Sequence, residues 1–161
     1  MGFLAFFLIY GDLIVSGSVI KRLFYIYHRE KPKYDIYLVG NHTVDPSAGA
    51  AIYYKDNTII NLIEKPKPTA PRTDLNNSGI YIFNTIIFDF LKNTNPSIRG
   101  EIELTEPIIR IIQKNNQKIR LIKIMKEEFW YDVGTVELLT KLNHDKSWNL
   151  KMSWFFDENV F

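Results

Sequence analysis

Carboxylates stand at the ends of apolar runs in two places in this chain. Asp12 follows the stretch Phe3 to Tyr10 through Gly11, which sets it at the C-terminal end of a predicted strand, where open α/β sheets bind ligands. Asp132 repeats the arrangement inside Phe129-Trp130-Tyr131-Asp132-Val133-Gly134-Thr135, ahead of a Gly-Thr turn into a helix. An aspartate in such a place also serves as a turn or cap residue, and for Asp12 alone that reading stays open. As a pair, two strand-end acids suit Mg²⁺, which is typically held by one or two carboxylates together with substrate phosphate oxygens.

Two further groups carry chemistry. Glu64 and Lys65 leave a predicted strand and enter a loop stiffened by Pro66, Pro68 and Pro71. They are either a solvated charge pair or a carboxylate for sugar hydroxyls beside an ammonium for phosphate, roles that suit these side chains. Asn77, in Asn76-Asn77-Ser78-Gly79-Ile80-Tyr81, is either a turn former or a reader of a sugar amide or hydroxyl.

The elements that position these residues follow from periodicity. Phe3 to Tyr10 is apolar throughout, as expected of a strand covered on both faces, and Leu13 to Val15 is a second apolar group after it. A signal peptide would need a basic residue before its apolar core, and none precedes Lys21. A membrane span would carry Asp12 near its middle at a cost of about 3 kcal/mol. Ser16 or Ser18 is expected to cap a helix to about Arg29 with Val19, Leu23, Ile26 and Tyr27 on one face. Tyr34 to Val39 reads as a strand and Gly40 to Gly49 as a loop. Ala50 to Tyr54 and Thr58 to Ile63 read as an antiparallel hairpin turning at Lys55-Asp56-Asn57. Glu64 to Asn77 reads as a surface loop, a candidate lid or site wall. Ile80 to Phe83 is a strand and Ile86 to Leu91 a short helix, with a loop from Asn93 to Gly100. Thr105 is expected to cap a helix bearing Ile108, Ile109, Ile111 and Ile112, with Pro107 in its first turn. Strands at Ile119 to Met125 and Phe129 to Val133 and a helix capped by Thr135 complete the pattern.

The 161 residues hold 20 basic and 18 acidic side chains spread along the chain, which argues against a nucleic-acid-binding face. No cysteine is present, so disulfides and thiolate chemistry are excluded and a reducing cytoplasm fits. The fold class expected is a three-layer α/β fold with a mixed sheet, one antiparallel hairpin and helices on both faces. The division expected is one domain over residues 1–147 and an aromatic tail over 148–161.

Six pieces in this order resemble the sugar-1-phosphate nucleotidyltransferase family: Tyr10-Gly11-Asp12, Asp45-Pro46-Ser47 leading to Gly49, Glu64-Lys65-Pro66, Asn77-Ser78-Gly79-Ile80-Tyr81, Gly100-Glu101 through Leu104-Thr105, and Tyr131-Asp132-Val133-Gly134-Thr135. The resemblance runs from Phe3 to about Asn143. It implies a nucleotide-diphospho-sugar transferase-like fold and the joining of a sugar 1-phosphate to a nucleoside triphosphate with release of pyrophosphate. It implies Mg²⁺ on Asp12 and Asp132, Glu64 and Lys65 as sugar and phosphate contacts with Lys65 catalytic, and Gly49, Asn77 and Gly79 in the sugar pocket. The family also begins with a strand and a loop of the kind Gly-x-Gly-Thr-Arg-Leu, which this sequence lacks, and Ala48 stands where an aromatic residue is common.

The resemblance therefore implies a chain truncated at its N-terminus, an inactive or incomplete fragment that engages a nucleoside triphosphate only when the missing part is supplied. The alternative is a non-catalytic sugar-phosphate-binding or regulatory partner of a full-length nucleotidyltransferase. Neither nucleic acid nor membrane is an expected partner. The strand Phe3 to Tyr10 would have its neighbour in the absent segment, so it is expected to be an open edge that drives self-association.

Overall fold

The structure is a computed structural model and describes residues 4–30, 33–97, 100–114 and 118–144. The aromatic tail expected over 148–161 lies outside the described residues, as does Phe3.

Among the described residues twelve strands and α-helices follow one another, with one 3-10 turn at Pro46–Ala48 between β3 and β4: β1 (Ala5–Ile9), β2 (Leu13–Val15), α1 (Gly17–Glu30), β3 (Ile36–His42), β4 (Ala50–Lys55), β5 (Thr58–Glu64), β6 (Leu75–Asn84), α2 (Ile86–Leu91), α3 (Thr105–Gln113), β7 (Ile119–Lys123), β8 (Trp130–Asp132) and α4 (Val136–His144). Six strands form one sheet in the order β1-β6-β3-β7-β5-β4, and β2 pairs with β8 as a separate ribbon. The sheet is mixed, because β3 and β7 run parallel while β3 and β6 are antiparallel.

Alternation on β3 explains the layers. Ile36 and Leu38 face the side covered by Ile87 and Phe90 of α2 and Ile108 and Ile111 of α3. Tyr37 and Val39 face the side covered by Val19 and Leu23 of α1. Both faces are therefore dry, and β3 reads as a continuous apolar run, as a doubly covered strand must. The three-layer α/β fold with helices on both faces is what the apolar pattern leads one to expect. Among the described residues no helix is long and apolar enough to cross a membrane.

Several local expectations are corrected. β1 is the edge strand expected, paired with β6 alone among the described residues, but it is not buried throughout as its apolar run suggests: Phe7 and Ile9 are 36% and 38% exposed. The hydroxyls of Ser16 and Ser18 do not cap α1. Phe129 N–H donates to Ser16 Oγ (2.7 Å) and Ser18 Oγ donates to Glu128 Oε1 (2.9 Å). These bonds hold the turn before β8 against the start of α1, and Arg22 pairs with the same Glu128 carboxylate. β3 runs on to His42, three residues into the expected loop.

The largest correction concerns Asn76-Asn77-Ser78, read as a turn but lying inside β6. Leu38 pairs with Tyr81 and Gly40 with Asn77, so four steps along β6 oppose two along β3. The extra residues form a bulge, a device that redirects side chains near sites. Ser78 Oγ ties it to Val39 O (2.7 Å). Gly79 takes the left-handed backbone (φ +77°), and a Cβ there would stand 2.5 Å from Tyr10 Cδ2. Both facts require glycine.

Candidate functional site

The ends of β1, β3 and β5, the bulge of β6, the β2–β8 ribbon and the first turns of α3 and α4 surround one cleft of about 670 Å³. Asp12, Gly49, Glu64, Asn77, Gly79 and Asp132 all line it.

The two aspartates are brought together by the ribbon. Leu13 pairs with Asp132 across it, and Val133 N–H donates to Asp12 O at 2.8 Å. Asp132 Oδ1 accepts from Gly134 N–H at 3.0 Å. The point where a Gly134 Cβ would stand lies 3.0 Å from Asp132 Oδ1 and 3.7 Å from Asp12 Oδ2. Both carboxylates thus face the space that Gly134 leaves open.

The opposite wall is built by the hairpin. Asp45 begins a single 3-10 turn over Pro46–Ala48, accepting from Ser47 N–H and Ser47 Oγ. Those bonds, the side-chain one first, hold its carboxyl below the ordinary carboxylate range. The turn delivers Gly49, where a Cβ would press on Asn76 Nδ2 at 3.1 Å. Glu64, paired with Ala50, ends β5 and accepts from Thr105 Oγ1 at 2.9 Å. Thr105 therefore does not cap α3, whose N-cap is Leu104 without a side-chain bond. Thr135 does cap α4, accepting from Leu138 N–H at 3.3 Å.

The floor is a chain of polar side chains. Asn77 Oδ1 accepts from Gly79 N–H at 3.2 Å, and Asn77 Nδ2 donates to Tyr81 Oη at 2.5 Å. The Tyr10 and Tyr81 hydroxyls are 3.4 Å apart. Burial, then the neighbouring Tyr10, pushes the Tyr81 phenol well above its usual range. Trp130 Nε1 donates to Ser78 O at 2.9 Å, so the aromatic side chain before Asp132 is tied to the bulge.

Lys65 is not among the lining residues. It takes the left-handed backbone (φ 42°), its N–H donates to Gly49 O at 3.0 Å, and its side chain is exposed. The chain leaves the sheet at that kink. The loop beyond is no wall of the cleft: only its ends, Glu64, Asn76 and Asn77, line it. Its middle is laid on β4, where Tyr53 Oη donates to Pro71 O (2.8 Å) and Thr73 Oγ1 to Ile52 O (2.7 Å).

Tyr10, Asn41, Asn76, Thr105 and Trp130 also line the cleft without having been expected as site residues, although all but Asn41 lie within the sequence stretches singled out above. Tyr10 and Trp130 each stand two residues before a strand-end aspartate, which is a usable signal. Asn41 and Asn76 are paired across β3 and β6, a relation only pairing reveals. Three carboxylates and no Lys, Arg or His line the cleft among the described residues. No group of three or more His, Asp or Glu that could hold a metal occurs among them either.

The fold is that of nucleotide-diphospho-sugar transferases. A solved structure of apo UDP-glucose pyrophosphorylase superposes with a TM-score of 0.71 over 94% of this chain and 54% of its own, at 20% identity. UDP-glucose pyrophosphorylase complexed with UDP-glucose gives 0.69 over 94% and 56%, again at 20% identity. The chain belongs to the nucleotidyl transferase family, whose model matches residues 6–147. It is 32% identical over 149 residues to the bifunctional protein GlmU of Methanocaldococcus jannaschii, covering 87% of this chain and 33% of that protein. It is 31% identical over 134 residues to glucose-1-phosphate thymidylyltransferase of Streptomyces antibioticus, covering 83% of this chain and 36% of that protein. The chain thus spans about a third of the length of these relatives.

Proposed function

We propose that residues 1–147 form the sugar 1-phosphate side of a site that joins a sugar 1-phosphate to a nucleoside triphosphate, giving an NDP-sugar and pyrophosphate. The observation that carries this reading is the convergence of Asp12 and Asp132 beside Gly134, in a cleft whose lining bears acids and no cationic side chain among the described residues. Such a lining attracts a cation. Mg²⁺ fits the donor set, because it takes hard oxygens from one or two carboxylates and completes its shell with water and phosphate. When bound, Mg²⁺ would neutralise phosphate oxygens and act as a template for the displacement.

In this reading Glu64 accepts hydrogen bonds from sugar hydroxyls and Asn77 offers its amide, while Gly49 and Gly79 line the sugar pocket beside them. Lys65 brings its ammonium to the 1-phosphate from the rim, a reach its long side chain allows. An oxygen of the sugar phosphate attacks the α-phosphorus, the bond to the bridging oxygen breaks, and pyrophosphate leaves with that electron pair. The protein's part is positioning and charge neutralisation. The triphosphate is assigned to a glycine-rich loop on further polypeptide, since the 161 residues contain none. The setting proposed is the cytoplasm, in keeping with the cysteine-free sequence.

Calorimetry with a panel of hexose 1-phosphates and Mg²⁺ tests the reading. Weak binding is expected, lowered about tenfold or more by Asp12→Asn or Asp132→Asn, with negligible binding of nucleoside triphosphate alone. Tight triphosphate binding, or no binding across the panel, overturns it.

The open edge of β1 favours a second reading, a non-catalytic partner that adds its edge to a complete nucleotidyltransferase. Complex formation with a full-length relative, without any change in the bound sugar phosphate, would select it.

A further inference from the structure

A buried hydroxyl at the first turn of a helix ordinarily serves the helix's own free N–H groups. Thr105 does not. It is the first residue of α3 and only 6% exposed, yet its Oγ1 donates to Glu64 Oε2 at 2.9 Å, a residue 41 positions away on another element. The N-cap of α3 has no side-chain hydrogen bond, so that hydroxyl is directed across the cleft wall rather than along the helix.

Both partners stand on rigid supports. Ile108 and Ile111 hold α3 in the same core as Ile59 and Leu62 of β5. Glu64 is the last residue of β5, paired with Ala50 on one side and followed at once by the left-handed backbone of Lys65. A glutamate at a strand end that turns so sharply would otherwise sample several rotamers. The Thr105 hydroxyl removes that freedom by its hydrogen bond to Oε2, since a bond to a carboxylate is stronger than one between neutral groups. Oε2 is engaged, and Oε1 accepts no other hydrogen bond among the described residues.

We propose that Thr105 is a positioning residue for Glu64. It fixes the carboxylate so that Oε1 is presented to one hydroxyl of a polyhydroxylated ligand in the cleft. The inference rests on the sugar 1-phosphate reading for the nature of that ligand, though the locking of Glu64 stands apart from it. Binding to a preorganised carboxylate avoids the ordering cost that a mobile one would impose.

Two measurements on Thr105→Val, Thr105→Ser and Glu64→Gln test it. In the ligand-free protein, NMR couplings across Glu64 χ1 should report one rotamer in the unaltered chain and in Thr105→Ser, and averaging in Thr105→Val. Calorimetry with α-D-glucose 1-phosphate and Mg²⁺ should show Thr105→Val binding about tenfold more weakly and Thr105→Ser within about twofold. The double variant Thr105→Val/Glu64→Gln should bind no more weakly than Glu64→Gln alone, because both changes remove one unit. If Thr105→Val does not fold, Thr105→Ala takes its place. A Glu64 rotamer already averaged in the unaltered chain overturns the proposal, as does Thr105→Val with unaltered rotamer and affinity. If the unaltered chain binds none of the hexose 1-phosphates, the functional reading falls while the rotamer measurement still decides what Thr105 does.

Discussion

Tyr10 and Gly79 occupy adjoining space so closely that neither leaves room for change in the other. Tyr10 N–H donates to Gly79 O at 3.0 Å, and a Cβ on Gly79 would stand 2.5 Å from the Tyr10 ring. Gly79→Ala should therefore lose about 2 kcal/mol or more, from the left-handed backbone and the clash together. In a Tyr10→Ala background the same change should lose only about 1 kcal/mol, the backbone part. Urea unfolding of the four proteins gives the coupling directly, and equal losses in both backgrounds would show that the ring yields freely.

The Tyr37 hydroxyl is buried with no hydrogen-bond partner among the described residues. An orphaned buried hydroxyl costs about 1–3 kcal/mol, so Tyr37→Phe should leave stability unchanged or raise it by about 1 kcal/mol. Burial first, then Glu30, pushes the phenol up to about 12 from 10.0. The folded state keeps this proton above pH 10 where the unfolded chain gives it up. The resulting stabilisation is present below pH 10 relative to higher pH and is lost as pH rises from about 10 to about 12. Tyr37→Phe should flatten that alkaline decline in a melting series, and a decline of unchanged slope would count against the burial argument.

Gly134 leaves open the space that Asp12 and Asp132 face. A methyl group there would press on Asp132 Oδ1 at 3.0 Å and approach Asp12 Oδ2 at 3.7 Å. Gly134→Ala should weaken Mg²⁺-dependent hexose 1-phosphate binding by about tenfold while shifting stability by less than about 1 kcal/mol. Paired calorimetry and thermal melts separate the two effects. Loss of fold, or binding left intact, would refute the assignment of that space.

β1 carries no proline or charge from Ala5 to Ile9, and its outer edge pairs with nothing among the described residues. Phe7 stacks obliquely on Phe24 with centroids 5.4 Å apart, and Phe6 on Phe88 at 5.3 Å, so both sides of the edge are aromatic. An apolar edge without proline or charge lacks the usual protection against pairing with another chain. The purified chain should self-associate as concentration rises, and Phe7→Lys should suppress this in light scattering. A monomer at high concentration, indifferent to that substitution, would show the edge to be covered.

What could be read locally was read where short-range physics decides. The hairpin at Lys55-Asp56-Asn57 was legible because its turn chemistry is confined to a few residues, and Asp56 indeed takes the left-handed backbone (φ 54°). The helix of isoleucines after Thr105 was legible because its apolar period matches the helix turn. Asp12 and Asp132 could be singled out because each follows its own apolar run. Asn76-Asn77-Ser78-Gly79 misled because those residues favour turns, whereas pairing with β3 drew them into a bulged strand. Ser16, Ser18 and Thr105 misled in the same way: each looks like a cap beside its own helix, and the hydroxyl of each bonds a group 41 or more positions away, Ser16 as acceptor and the other two as donors. The sequence by itself determined the order of strands and helices and which acids stand at strand ends, since periodicity and turn chemistry act within a few residues. Which donors meet which acceptors around the cleft was decided only by the tertiary structure, because a hydroxyl bonds whatever the packing of distant elements brings within about 3 Å of it.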